Sequence, residues 1–310
     1  MSNVVTGLMT AWTNGRLGNQ MGAYAVLYGL AKLNGYEPYI QKDMHEILSP
    51  LFRLTLPVMD ETMENITWTN FNRNDWMSDD YLNIAPQFVQ LYGYFCSWTF
   101  FHQYRNEILR EFSFHDHIKK RSWSTLAKLK ENRKHPTYIG VHVRRGDYVQ
   151  VMPKIYHGVV ADRAYLHKAM TYFRRKYQEP VFVVASDGVR WCRENIDAAK
   201  GDVYFAEDYN ESSPGYDLAL LAHCNHTIMT FGTFSFWAAY LAGGETIYFH
   251  NFTLPDSSWW DVFKPEANYL PEWIGIQANI SSILPTSASL AKNKNQDAGS
   301  ADERATLKGN

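Results

Sequence analysis

The clearest rhythm along the chain is a series of short apolar runs separated by longer segments of mixed polarity. The runs are YIGVHV at 138–143, VFVVA at 181–185, VYF at 203–205, TIMT at 227–230 and TIYF at 246–249. Their length and β-branched content predict buried strands. Between them, residues 164–177, 191–196, 217–224 and 234–241 read as helices, with Asp217 capping the third and Gly243-Gly244 stopping the fourth. Strands and helices alternating in this way predict a parallel sheet covered on both faces, with the run at 246–249 closing the series. Ligands of such sheets sit at the carboxyl ends of the strands.

The N-terminal half starts in the same style. Residues 8–12 predict a strand, Asn14-Gly15 a turn, 17–33 a long helix stopped by Asn34-Gly35, and 38–40 a second strand. Residues 41–100 are rich in aromatics and turn formers and yield no assignment, whereas 101–112 and 118–132 read as helices. The polar, proline-containing stretch at 132–136 divides the chain into a domain at 1–135 and another at 136–285. Residues 286–310 hold no aromatic and read as a disordered tail.

Composition narrows the class further. With 45% apolar and 20% charged residues the chain is globular, and a net charge of −2 argues against a dedicated nucleic-acid binder. Cys96, Cys192 and Cys224 form no CxxC pair, which leaves either one disulfide with a spare thiol or three buried thiols. No segment offers 18 uninterrupted apolar residues, and the first residues do not resemble a signal peptide. Five Asn-x-Ser/Thr sequons, at Asn65, Asn210, Asn225, Asn251 and Asn279, are each weak signs of a lumenal life. The chain therefore reads either as cytosolic or as a lumenal domain without its leader.

Three motifs follow predicted strands. HVRRGDYV at 142–149 delivers Arg144 and Arg145 on the end of a buried strand, followed by a turn glycine and Asp147. Arginine keeps its charge and presents a fork of donors, which suits a phosphate or carboxylate; a surface Arg–Asp ion pair is the plain alternative. NGRLGNQ at 14–20 frames Arg16 with two glycines and ends in Asn19 and Gln20 at a helix start. Helix N-termini favour anions and amides hold sugar hydroxyls, although a well-capped βα turn would look the same. FGTFSFW at 231–237 offers the Thr233 and Ser235 hydroxyls at another helix start, where capping is the alternative. The chain has no Asp-x-Asp, HExxH or Gly-x-Ser-x-Gly. A leaving diphosphate would then be met by arginines and helix ends in place of a bridging metal.

These motifs resemble a known family. HVRRGDYV, GRLGNQMGAYAVLYGLAKLNG, NDWM at 74–77, CSWTF at 96–100, VMPKIYHGVVADRAYL, WCRENID, CNHTIMTFGTFSFWAAYLAGG and FKPEANYLPEW are similar, in order, to the galactoside 2-alpha-L-fucosyltransferases of glycosyltransferase family 11, most of all the vertebrate blood-group and secretor type. The resemblance runs from about Gly15 to Pro285; the family's cytoplasmic tail, membrane anchor and stem are not in this sequence, and 286–310 match nothing in it. It implies an α/β, GT-B-like fold with two Rossmann-type halves facing a cleft, the first serving the acceptor and the second GDP-fucose. It implies inverting transfer to the 2-hydroxyl of terminal β-galactose on glycoprotein or glycolipid glycans, with no metal and no nucleic-acid partner, in the Golgi lumen. The membrane would be met only through an anchor.

For the site, the resemblance implies that Arg144 chiefly, with Arg145, meets the β-phosphate, and that Arg16 and Asn19 approach from the facing half. Thr233 and Ser235 are candidates for phosphate or fucose hydroxyls, and Ser186 and Asp187 for the guanosine side. Asp147 is the first candidate base, with an ion pair to an arginine as its alternative. His142, two residues before Arg144 on the same strand, is a candidate on the GDP-fucose side, with core packing as its alternative. Trp76, Trp98 and His102 are candidates to meet galactose. Competing readings are a protein O-fucosyltransferase and an inactive homologue that binds GDP-fucose or glycan. A dehydrogenase is disfavoured by the missing GxGxxG.

Overall fold

The computed structural model describes residues 6–63, 65–208 and 213–284, so the 286–310 tail and the Asn210 sequon lie outside the described residues. The first half begins with β1 (Leu8–Trp12), α1 (Leu17–Asn34), β2 (Glu37–Tyr39) and α2 (Lys42–Leu48). It continues through β3 (Thr69–Phe71), β4 (Phe88–Tyr92), α3 (Arg105–Glu111) and α4 (Asp116–Lys130). The second half runs β5 (Thr137–Val143), α5 (Tyr148–Ile155), α6 (Arg163–Lys176), β6 (Pro180–Ser186), α7 (Val189–Asn195) and β7 (Val203–Phe205). It ends with α8 (Pro214–Ala222), β8 (His226–Met229), α9 (Thr233–Ala242), β9 (Thr246–His250), α10 (Trp259–Val262), α11 (Pro265–Asn268) and β10 (Ile274–Gln277).

The strands form two sheets, both wholly parallel. The first is ordered β2-β1-β4-β3 and the second β10-β9-β8-β5-β6-β7. In the second sheet the chain winds outward from β5 to one edge, returns, and winds from β8 to the other, as in doubly wound nucleotide-binding sheets. The first sheet is wound differently: β1 leads outward to β2, the chain crosses to the opposite edge at β3, and β4 fills the place between β3 and β1. Alternation along β5 and β6 explains the layers. Ile139, Val141, Val143, Phe182 and Val184 pack on one face with Phe173 of α6. Val181, Val183 and Ala185 turn the other way, into a core shared with Met21 and Leu27 of α1, Leu221 of α8 and Trp237 of α9. That core also holds Met9 of β1 and Leu91 of β4, so apolar packing is continuous from one sheet to the other.

Several elements depart from the sequence expectation. The cap of α8 is Ser213, whose hydroxyl accepts from the Tyr216 N–H at 3.4 Å; Asp217 lies inside the first turn. Residues 102–104 form a short tight turn, so α3 starts only at Arg105. The series does not close at β9, because β10 adds a sixth strand beyond it. All three cysteines are buried free thiols. No helix among the described residues is long and apolar enough to cross a membrane.

Candidate active site

The reversal of strand order places the carboxyl ends of β5 and β8 beside each other, and HVRRGD and FGTF are the segments that leave them. The backbone N–H of Arg144 donates to Thr230 Oγ1 at 2.9 Å, tying the two ends together. The Arg144 guanidinium then pairs with two carboxylates, Asp187 from the β6 end and Asp147 from the start of α5, and lies 5.1 Å from the Tyr148 ring. Asp187 also accepts the Arg145 N–H at 2.7 Å. Gly146 makes this closure possible: its φ is +33°, and a Cβ there would fall 2.5 Å from Asp187 Oδ2 and 2.7 Å from Arg144 Nη1.

Arg145 has a different setting. Its guanidinium lies 3.8 Å over the Trp191 ring and donates to the Ala161 carbonyl at 3.3 Å. It braces the loop against α7, while Arg144 faces the crevice. Ser186 donates to the Val143 carbonyl at 2.6 Å and accepts from the Gly188 N–H at 2.9 Å, so its hydroxyl locks the turn after β6. Ser235 is fully buried and donates to the Phe231 carbonyl at 3.0 Å. That leaves its oxygen to accept from His142 Nδ1, 2.5 Å away. Burial, aided by the positive charge of Arg144, pushes the His142 pKa down to about 3, so the ring is neutral near pH 7. His142 and Ser235 thus align β5 with α9 from inside the core.

The facing half reaches the same place through α1. Thr233 Oγ1 donates to Asn19 Oδ1 at 2.7 Å, and Asn19 Nδ2 donates to the Asn14 carbonyl at 3.3 Å. The first turns of α1 and α9 therefore meet, and each leaves its first N–H groups without partners inside its own helix. Two positive helix ends and the exposed Arg16 beside them make this junction attractive to an anion. Gly18 sets the approach, since a Cβ there would stand 2.6 Å from both Thr233 Oγ1 and Phe234 N. Gly18→Ala is expected to cost about 1–3 kcal/mol of stability through forced separation of the two helices, read from denaturant unfolding.

Arg144, Asp147 and Asp187 thus form one cluster and Asn19 and Thr233 another, with Arg16 exposed at the start of α1, while Arg145, Ser186, His142 and Ser235 are engaged with the protein's own backbone and rings. Trp98 and His102 face elsewhere: Trp98 Nε1 donates to the Tyr269 carbonyl at 3.0 Å and His102 packs on Tyr240. Trp76 does line an opening, a cavity of 320 Å³ at the carboxyl ends of β1 and β4. Its other walls include Trp12, Tyr92 and Asp75, residues that sequence reasoning did not single out. Period-two alternation in FVQLY was the one signal for β4, and nothing local pairs it with β1.

Two halves, each built on a wholly parallel sheet and the second of them doubly wound, define a GT-B-like glycosyltransferase fold. Solved fucosyltransferases share it. The alpha-1,6-fucosyltransferase NodZ of Bradyrhizobium, soaked with GDP-fucose, superimposes with a TM-score of 0.51 at 16% identity, over 79% of this chain and 96% of that one. A FUT1 mutant of Arabidopsis thaliana in complex with GDP gives 0.53 at 13% identity, over 82% and 73%. The sequence is more specific. The profile of glycosyl transferase family 11 matches residues 1–277, and the chain belongs to that family. It is 56% identical to the galactoside alpha-(1,2)-fucosyltransferase 2 of Bos taurus over 90% of this chain and 81% of the relative, and 55% identical to that of Mus musculus over the same shares.

Proposed function

We propose that this chain transfers L-fucose from GDP-β-L-fucose to the 2-hydroxyl of terminal β-galactose on glycans of glycoproteins or glycolipids, with inversion and without a metal ion. The observation that carries the reading is 55–56% identity, over 90% of the chain, to galactoside alpha-(1,2)-fucosyltransferases of several vertebrates. The crevice supplies chemistry that suits it. Inversion needs one displacement: the acceptor oxygen bonds to C1 as the C1–O bond to the diphosphate breaks, and that electron pair moves onto the β-phosphate. Arg144, Arg16 and the N-terminal ends of α1 and α9 would stabilise the growing charge, and the Asn19–Thr233 bridge would hold the two halves in register around it. Arginines in place of an Asp-x-Asp motif support the metal-free part of the reading. We place the enzyme in the Golgi lumen, where this chemistry meets finished galactosides, and the sequons at Asn65, Asn225, Asn251 and Asn279 are exposed there.

The test is transfer of labelled fucose from GDP-fucose to phenyl β-galactoside, with and without EDTA. Equal transfer to the 2-hydroxyl in both is expected. Loss with EDTA would overturn the metal-free mechanism. Absence of transfer by folded protein that binds GDP would favour an inactive homologue.

A further inference from the structure

We propose that the cavity at the carboxyl ends of β1 and β4 is the acceptor subsite, and that Asp75 is the base that takes the proton of the attacking galactose hydroxyl. The proposal rests on the fucosyl-transfer reading above and names its second substrate site.

Topology is the first argument. The carboxyl ends of β1 and β4, neighbours in the first sheet, border the cavity as those of β5 and β8, neighbours in the second, border the arginines. The carboxyl edge of an open parallel sheet is where its ligands bind. The carboxyl edge of the second sheet holds the arginines; that of the first opens into the cavity of 320 Å³. The lining is the second argument. Trp12 and Tyr92, at the ends of the two strands, stack with ring centroids 4.9 Å apart, and Tyr94 beside them is 60% exposed. Flat aromatic faces pack against the C–H face of a sugar, while the side-chain amides of Asn14 and Asn74 can bond its hydroxyls. Asn14 also links the cavity to the donor crevice, because its carbonyl holds Asn19, which holds Thr233. Asp261 and Val262 of α10 complete the rim from the second half.

Asp75 stands apart from the other acids near the crevice. Asp147 and Asp187 both pair with Arg144. No donor among the described residues bonds the Asp75 carboxylate. It lies against Gly93, where a side chain would begin 3.0 Å from Oδ1. Partial burial raises its pKa to about 6, the range in which a carboxylate is both ionised at neutral pH and basic enough to accept a hydroxyl proton. The charged and titratable groups around it are Arg73, Asp80 and Tyr81 from its own side, Tyr92 and Tyr94 of the cavity wall, Asp261 across the rim, and Lys264, which sits 4.2 Å over the Trp76 ring. In the step itself the hydroxyl proton moves to an Asp75 oxygen, the freed oxygen bonds to C1 of fucose, and GDP departs with the C1–O electron pair.

The experiment measures transfer and GDP affinity together for wild type, Asp75→Asn and Tyr94→Ala. Asp75→Asn should lower kcat about 10²-fold or more, leave GDP affinity within about twofold, and abolish the fall in kcat below about pH 6. Tyr94→Ala should raise the KM for the galactoside about tenfold with the KM for GDP-fucose unchanged. An active Asp75→Asn enzyme that keeps the acidic limb overturns the base assignment. An unchanged galactoside KM in Tyr94→Ala overturns the subsite. A wild-type chain that binds GDP and transfers nothing overturns the fucosyl-transfer reading, and this assignment with it.

Discussion

Arg144→Ala is expected to lower fucosyl transfer about 10²–10³-fold, the usual cost of losing one donor aimed at developing charge. The side chain is well placed for that task. Its backbone is tied to Thr230, and its guanidinium is held between Asp147 and Asp187 at the sheet's reversal point. The two carboxylates are not equivalent. Asp187 is 31% exposed and also accepts the Arg145 N–H, so it belongs to the frame. Asp147 is 58% exposed, and an ion pair that open to solvent is worth about 0–1 kcal/mol. A diphosphate can therefore displace Asp147 from Arg144 at small cost while Asp187 keeps the fork aimed. Removing Arg144 leaves both acids facing the donor, so GDP affinity should fall along with kcat. Lysine is a poor replacement, because a point charge cannot bridge Asp187 and a phosphate oxygen with fixed geometry. Arg145→Ala serves as the contrast. With its guanidinium on Trp191 and the Ala161 carbonyl, its loss should appear in thermal stability more than in the chemical step. A full effect on turnover from Arg145 and none from Arg144 would reverse the assignment. Single-turnover transfer and GDP titration of the two variants decide it.

The donor side of this crevice was legible in the sequence because each of its parts is local. HVRRGDYV, NGRLGNQ and FGTFSFW all follow an apolar run and precede a helix, and in a parallel sheet every such loop emerges at the same edge. Position in a βα unit was therefore enough to bring Arg144 and Thr233 toward one another before any contact was known; Arg16 leaves β1 of the other sheet, and only the family resemblance put it on the facing side. Direction was not legible. Ser235 follows Thr233 by two residues on α9, yet its hydroxyl turns inward to Phe231 and His142 while Thr233 reaches Asn19. Trp98 and His102 have the residue types of a sugar site, but pack into the wall formed by Tyr269 and Tyr240. The acceptor-side cavity was the least accessible to sequence reasoning. β3 has three residues and β4 five, set among turns, so neither carries much periodicity. The meeting of Trp12 and Tyr92 depends on β1 pairing with a strand eighty positions along the chain, which no local pattern encodes.

The same long-range dependence makes Glu111 the residue whose loss should most weaken the fold. It lies at the end of α3, 5% exposed, and accepts from the Tyr24 hydroxyl at 2.5 Å, the Thr55 N–H at 2.8 Å and the Thr55 hydroxyl at 2.5 Å. The Tyr24 oxygen in turn accepts from the Leu56 N–H at 3.3 Å. One buried carboxylate thereby joins α1, the 49–57 segment and α3, three pieces that share no strand pairing. Burial and the neighbouring carboxylate push the Tyr24 pKa well above its ordinary value, so the phenol remains a donor across the whole working range of pH. Glu111→Ala strands one buried donor, the Tyr24 hydroxyl, and removes the acceptor of two donors on Thr55, which is exposed and can turn to water. The buried phenol costs about 1–3 kcal/mol when left without an acceptor, and with the two lost bonds from Thr55 the sum should reach about 2–4 kcal/mol. Glu111→Gln keeps the shape but turns an NH2 group toward donors, so about half that loss is expected. Urea unfolding midpoints measure both. Because α1 also carries Arg16 and Asn19 into the crevice, a loosened α1 root should shorten the lifetime of the active enzyme on warming. The fraction still folded should bind GDP with unchanged affinity, since no atom of Glu111 approaches the Arg144 cluster. A drop in GDP affinity at a temperature where Glu111→Gln is fully folded would mean that the root of α1 tunes the donor site directly, and the separation of scaffold from site drawn here would have to be given up.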